Sequence, residues 1–334
     1  EGVLRSFCWA QGLWLCYNTA VHCHTEVILL ENLLFSVNTV LPLLIMMAVG
    51  FAARHFGLVN AQATKQINAC VFRIFLPLLL TFNIIDTPRD AAVDVRTLIY
   101  ALITTLFCFA VLFLIVPRLV KERRDRGVII QCVARSNYAI FGIPLVNMMY
   151  PNADVSIAAM MVAIVVPVFN VMSTIALMIN GSDQKPDTKR ILKGVVTNPL
   201  IIATVIGMIL WRLDVQLPTV IEKPFRNLAN ISSPLALFVL GASLDFGKAR
   251  ANAKLLTWSV MGRLVFVPGV FLTGAALIGI RDVALASLIA VYASPCSVSS
   301  YPMAQQMGGN DDLAGAQVVF TTAFSIFTVF CWVY

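Results

Sequence analysis

The chain has 334 residues and a formal charge of +7, yet only 12% of its residues are charged, 59% are hydrophobic and the mean hydropathy is +0.84. A soluble domain is about a quarter charged, and a chain of this size has too little interior to hide so much apolar surface, so a soluble globular fold is excluded and lipid is the expected solvent. The positive excess is not a nucleic-acid footprint, because no basic stripe with interleaved aromatics occurs and the basic residues sit between apolar runs, the pattern the positive-inside rule produces.

Residues 1–32 read as an N-terminal extension set apart from the membrane body. Cys8, Cys16 and Cys23 lie there, and His22-Cys23-His24 is a metal-like triplet without further ligands beside it. Cys70, Cys108, Cys132, Cys296 and Cys331 lie inside apolar runs, where cysteine acts as a small hydrophobe. No disulfide framework and no metal site are expected.

A spanning helix needs about 20 mostly apolar residues. The runs that qualify are Leu34–Phe56, Ile67–Ile85, Leu98–Val116, Val128–Tyr150 and Ser156–Ile179, then Val195–Leu213, Leu228–Leu244, Leu255–Ile280, Val283–Met307 and Leu313–Val333, which makes ten. They are too long and too uniformly apolar for barrel strands. The expected class is therefore an all-α membrane protein of about ten transmembrane helices.

Basic residues concentrate after the odd-numbered spans: Arg54 and Lys65, the cluster Arg118 to Arg126, the cluster Lys185 to Lys193, and Lys248, Arg250 and Lys254. The even connections hold fewer: Arg89, Arg96, Arg212, Lys223, Arg226 and Arg281. The odd connections should be cytoplasmic, with both termini outside, and a bacterial inner membrane is the expected home. Residues 181–194, polar and holding Gly181 and Pro186, read as a cytoplasmic linker between 33–180 and 195–334.

These two segments resemble one another. Pro42, Gly50 and Pro77 recur as Pro199, Gly207 and Pro234 at an offset of 157, and Ser136, Pro144 and Asn152 recur as Ser294, Pro302 and Asn310 at 158. An odd number of spans in each half makes the repeat inverted, five plus five, an architecture common among secondary transporters.

The fourth span of each half is polar and interrupted. Span 4 carries Arg135-Ser136-Asn137-Tyr138 and then Gly142-Ile143-Pro144; span 9 carries Ser294-Pro295-Cys296-Ser297 and then Ser299-Ser300-Tyr301-Pro302. Proline removes one helical hydrogen bond and crowds the carbonyl four residues back. Pro144 should free the carbonyl of Ile140, Pro302 that of Val298 and Pro295 that of Val291. Such backbone is tolerated at membrane depth only inside protein or beside a watery cavity. A pair of breaks at related positions therefore points to a substrate site, with half-helix N-termini favouring an anion.

Arg73, Arg135 and Arg263 also fall within spans, and no Asp or Glu lies deep in any span. Intramembrane arginines are costly and usually functional, and a bound carboxylate would supply the missing partner. Arg135 adjoins the break and is the leading candidate. Coupling to H+ or Na+ stays open: carbonyls and serines at the breaks suit a hard cation, and a substrate carboxylate can itself carry a proton.

Ser136-Asn137-Tyr138-Ala139-Ile140-Phe141-Gly142-Ile143-Pro144, Phe75-Leu76-Pro77-Leu78 and Asn198-Pro199-Leu200 resemble motifs of the auxin efflux carrier family, which includes plant auxin exporters and bacterial malonate or malate permeases. The likeness runs from about Glu31 to the C-terminus, and the short connection between spans 5 and 6 is closer to the bacterial branch. The resemblance implies a ten-helix inverted repeat whose broken helices 4 and 9 cross at mid-membrane, with Asn137 and Pro144 at one crossover and Pro295 and Pro302 at the other. It also implies a small carboxylate substrate such as malonate or malate, carried by alternating access.

Ser136, Tyr138, Gly142, Ser294 and Ser297 complete the expected site around these residues. The competing readings are a sodium-coupled carrier resembling bile-acid symporters and a membrane sensor that moves nothing. An enzyme is not expected, since no metal cluster, nucleophile elbow or acid pair stands within the spans. The apolar surface would accommodate a homodimer.

Overall fold

The computed structural model describes Leu34 and residues 36–88, 94–154, 156–181 and 188–333. The N-terminal cysteines and histidines and residues 182–187 of the linker lie outside the described residues. The described residues form fourteen helices, in chain order α1 Ser36–His55, α2 Ala61–Ile85, α3 Val95–Leu119, α4 Arg123–Ala134, α5 Tyr138–Met149, α6 Ser156–Asn180 and α7 Thr188–Val196, then α8 Pro199–Leu213, α9 Thr219–Ser243, α10 Phe246–Ala251, α11 Ala253–Leu277, α12 Asp282–Ala293, α13 Ser300–Gln306 and α14 Asp311–Val333. Among the described residues no strand forms.

Six helices, α1, α2, α3, α6, α11 and α14, are long and apolar enough to cross a membrane, and α5, α8 and α12 are shorter apolar helices. The solvent logic is inverted along α3: Ile99, Ile103, Phe107 and Leu114 face outward, while Thr97 and Thr105 are buried. In water that outward stripe would be costly; in lipid it is free.

Local chemistry sets the boundaries. α2 begins at Ala61, six residues before the apolar run, because the Asn60 side chain accepts a hydrogen bond from the Ala63 amide and caps the helix. Asn198 accepts from the Leu200 amide at 2.9 Å and Pro199 takes the first helical position, where its missing N–H costs nothing. α9 starts at Thr219 rather than near Leu228, its first turns bearing Glu222, Lys223 and Arg226. α2 and α11 each contain one wide π-type stretch, Val71–Phe75 and Gly262–Phe266, just ahead of Pro77 and Pro268, where proline denies the regular hydrogen bond.

The expected fourth and ninth spans are broken. α4 and α5 are separated by a non-helical gap at Arg135–Asn137, and α12 and α13 by one at Ser294–Ser299. An antiparallel bridge joins Ser136 to Cys296, and the Asn137 amide donates to the Pro295 carbonyl at 2.8 Å.

The location of the first break corrects the proline argument. Pro144 sits about two turns inside α5, and Pro302 lies in the first turn of α13, where no intrahelical N–H is needed. Only Pro295 stands in a gap.

The helices gather in two groups. α8 and α9 pack on the second half of α2, and α1 lies against α9. α3, α4, α5, α6, α11, α12 and α14 form the other group, with α4 against α6 and α5 against α12. The breaks belong to the second group and face the first.

Candidate functional site

A cavity of about 50 Å³ lies on the seam between the two groups. Leu76, Leu79, Leu80 and Asn83 of α2 and Ser233 and Ala236 of α9 form one wall; Arg135, Ser136, Asn137, Ser297, Val298 and Ser299 of the two gaps, with Val166 and Phe169 of α6, form the other. Much of the lining is apolar, and its polar groups come mainly from the gaps, where backbone leaves helical geometry.

Arg135 is the charge of this site. It is buried and donates to Asn170 Oδ1 at 2.7 Å and Ser299 Oγ at 2.6 Å, with Met303 Sδ as a third neighbour. All three partners are neutral, so none of them offsets the charge of the guanidinium. Ser136 Oγ, Asn137 Nδ2 and Asn170 Nδ2 are buried with no hydrogen-bond partner. Unpaired buried polar groups cost about 1–3 kcal/mol each, so native interiors keep few of them. Beside Arg135 they form a set of donors able to accept a carboxylate. The N-terminus of α5, whose cap residue is Asn137 and which has no side-chain cap bond, adds unpaired N–H groups of the same sign.

Of the expected residues, Arg135, Ser136, Asn137 and Ser297 line the cavity, and the others stand elsewhere. Tyr138 is wholly buried and its hydroxyl donates to the Ala158 carbonyl at 2.8 Å. Gly142 leaves room for that ring, since a Cβ there would lie 2.7 Å from the Tyr138 ring. Pro144 is exposed, Ser294 Oγ bonds the Ala290 carbonyl, and Pro302 packs inside α13. Pro295 contributes its carbonyl to the bridge. Arg73 is exposed on α2, away from the cavity lining.

Arg263 is wholly buried and outside the cavity lining. Its Nε donates to the Ser294 carbonyl at 2.8 Å, its Nη1 to those of Val133 and Ala134 at 3.2 and 3.3 Å, and its Nη2 to those of Val291 and Tyr292 at 2.8 and 2.9 Å. The carbonyl that Pro295 should free, that of Val291, is thus satisfied by a side chain.

Sequence reasoning missed Asn83, Asn170, Ser233 and Met303, and named Ser299 only as part of the polar stretch of span 9. The signal for the asparagines was present: Asn83 and Asn170 are amides inside otherwise apolar runs. A search for charges and prolines passes over them.

Comparison with known proteins agrees with this architecture. The chain is 22% identical over 304 residues to a Rhizobium meliloti (strain 1021) protein named "Putative malonate transporter", covering 87% of this chain and 92% of that one. It is 20% identical over 308 residues to Escherichia coli (strain K12) "Uncharacterized transporter YfdV", covering 90% and 98%. The family model described as membrane transport protein matches residues 35–333. A multi-pass helical body with two facing helix breaks, matched by that model over nearly its whole length, belongs to the membrane transport protein family, the auxin efflux carrier group whose motifs it carries.

Proposed function

We propose that this protein is a secondary carrier of a small carboxylate such as malonate or malate, working by alternating access. The observation that carries the reading is Arg135: a buried arginine with neutral partners, at a cavity where Ser136 Oγ and Asn137 Nδ2 are donors without acceptors. A carboxylate would accept from these groups and neutralise the charge. The name of the Rhizobium meliloti relative, "Putative malonate transporter", points the same way.

The scaffold is ten spans in two inverted repeats, 33–180 and 195–334, with 181–194 as a cytoplasmic linker and both termini outside. One packing relation supports the repeat. A Cβ on Gly50 would collide with the Phe238 carbonyl oxygen, and one on Gly207 would meet the Thr81 carbonyl oxygen at 3.1 Å. Gly50 and Gly207 are 157 apart, and so are Thr81 and Phe238. Exchange of the halves turns one contact into the other. Both helix groups line the cavity, so access from either side requires the seam between them to open alternately.

Proton coupling fits this site better than sodium coupling. Five main-chain carbonyls beside the two breaks, which would otherwise be oxygen ligands for Na+, accept hydrogen bonds from Arg263. The test is uptake of radiolabelled malonate into proteoliposomes, with pH and sodium gradients imposed separately. Saturable uptake driven by the pH gradient and indifferent to sodium is expected. Folded protein that moves neither malonate nor malate under any gradient would overturn the reading, and strict sodium dependence would overturn the coupling.

A further inference from the structure

We propose that Arg263 is a positioning residue of the transport site: a fixed cation that holds the two broken helices in register and thereby aims Arg135, Ser136 and Asn137 at the cavity. The inference rests on the carboxylate-carrier reading for its transport consequence, though not for its structural one.

The argument begins with the helix ends. α4 and α12 stop at mid-body, and the last carbonyls of each helix have no following amide. Pro295 has no N–H, so the Val291 carbonyl is denied its usual partner. Two helix C-termini brought together present the same negative dipole end and a cluster of bare oxygens. At membrane depth, where water cannot serve, each unpaired carbonyl costs several kcal/mol.

Arginine is the side chain that answers this. It has five N–H donors in a rigid plane and no acceptor. All five are used here on five carbonyl oxygens, two from α4 and three from the end of α12 and the residue after it. Its positive charge also suits both C-terminal ends. The buried cation therefore needs no carboxylate.

The placement of Arg263 is itself built. It lies in the wide turn Gly262–Phe266 of α11. Gly262 lets α11 approach α4: a Cβ there would lie 3.1 Å from Val133 Cγ2. The wide turn and the glycine bring the guanidinium between the two helix ends.

The carbonyls Arg263 holds adjoin the site. Ala134 immediately precedes Arg135, and Ser294 immediately precedes Pro295, whose carbonyl accepts from the Asn137 amide. Arg263 thus links α4, α12 and α11, and the Ser136–Cys296 bridge is the next connection along both chains. Without it the two ends can separate, and the groups that receive the substrate lose their mutual geometry, which binding tolerates poorly.

The experiment compares Arg263→Gln and Arg263→Lys with the wild type in lipid nanodiscs and proteoliposomes. Two quantities are read: malonate KM and kcat at equal inserted amounts, and amide hydrogen exchange of peptides covering 133–138 and 291–297. In Arg263→Gln, KM should rise at least tenfold with a smaller change in kcat, and exchange in both peptides should quicken. Arg263→Lys, with three donors for five carbonyls, should lie between.

Wild-type KM and wild-type exchange in an inserted variant would overturn the proposal. So would a loss of inserted protein with unaltered KM in what remains, which marks a role in stability alone. If Arg263→Gln fails to insert, Arg263→Lys decides on the same criteria. If the wild type moves no carboxylate, the proposed function falls and the exchange measurement alone judges Arg263.

Discussion

Arg135 and Arg263 are both buried, both inside the expected spans and both without an acidic partner, yet their surroundings divide them. Arg263 spends all five donors on main-chain carbonyls and is complete. Arg135 is held by two neutral side chains, Asn170 and Ser299, beside a cavity with unpartnered donors. The cost of an intramembrane charge is met from the backbone in one case and, on the proposed function, left to a ligand in the other. An arginine inside a membrane protein is therefore assigned by where its donors go, not by its depth.

The comparison is most easily broken at Arg135 itself. Arg135→Ala should reduce uptake by at least about a hundredfold, since a charged hydrogen-bonded anchor is worth several kcal/mol, while insertion stays normal. Intact uptake by an inserted variant would remove Arg135 from the site.

Next in size are the frame contacts that hold the two helix groups. Gly50→Ala places a methyl against main chain of α9 and should lower stability by about 1–3 kcal/mol. Gly207→Ala, with more room at 3.1 Å, should cost less. Thermal unfolding in one detergent measures both, and equal costs would argue against the tighter packing of α1 on α9.

Asn170→Leu and Ser299→Ala should each raise KM about 10- to 100-fold, the size of a lost hydrogen bond to a charged group. Ser294→Ala, whose hydroxyl serves a helix carbonyl, should leave KM unchanged. A KM shift for Ser294→Ala as large as the other two would blur the line drawn between site and frame.

The smallest effect belongs to Arg226. It lies at the edge of the apolar region, paired with Asp86 at 2.7 Å and Glu222 at 2.9 Å and partly exposed. Arg226→Gln should cost at most about 1 kcal/mol of stability and leave uptake unaltered. Lost transport in that variant would show that arginines with acidic partners also belong to the site.

Much of the architecture could be read in advance from hydropathy, because lipid imposes one rule on every span: apolar outside, backbone satisfied within. The Asn198-Pro199-Leu200 motif marked a helix start, and the polar segments of spans 4 and 9 marked where the helices break, while the Asn60 cap of α2 went unread. The breaks themselves were misplaced toward Pro144 and Pro302. A proline deletes one hydrogen bond, but whether the helix parts there depends on what else can satisfy the freed group. In α5 the helix carries on through Pro144, while the backbone opens at Arg135–Asn137, where the other broken segment supplies a bridge partner.

The helical membrane body, the family motifs and the place of Arg135 beside a helix break were determined by the sequence alone. Spacing, hydropathy and an unmatched charge are properties of the chain in one dimension. The cavity wall contributed by Asn83 and Ser233, the hold of Asn170 and Ser299 on Arg135, and the separation of Arg263 from the cavity were decided only by tertiary structure. Each depends on which carbonyls and side chains from distant segments meet. A guanidinium reads the same in sequence whether its five donors find backbone or an open cavity.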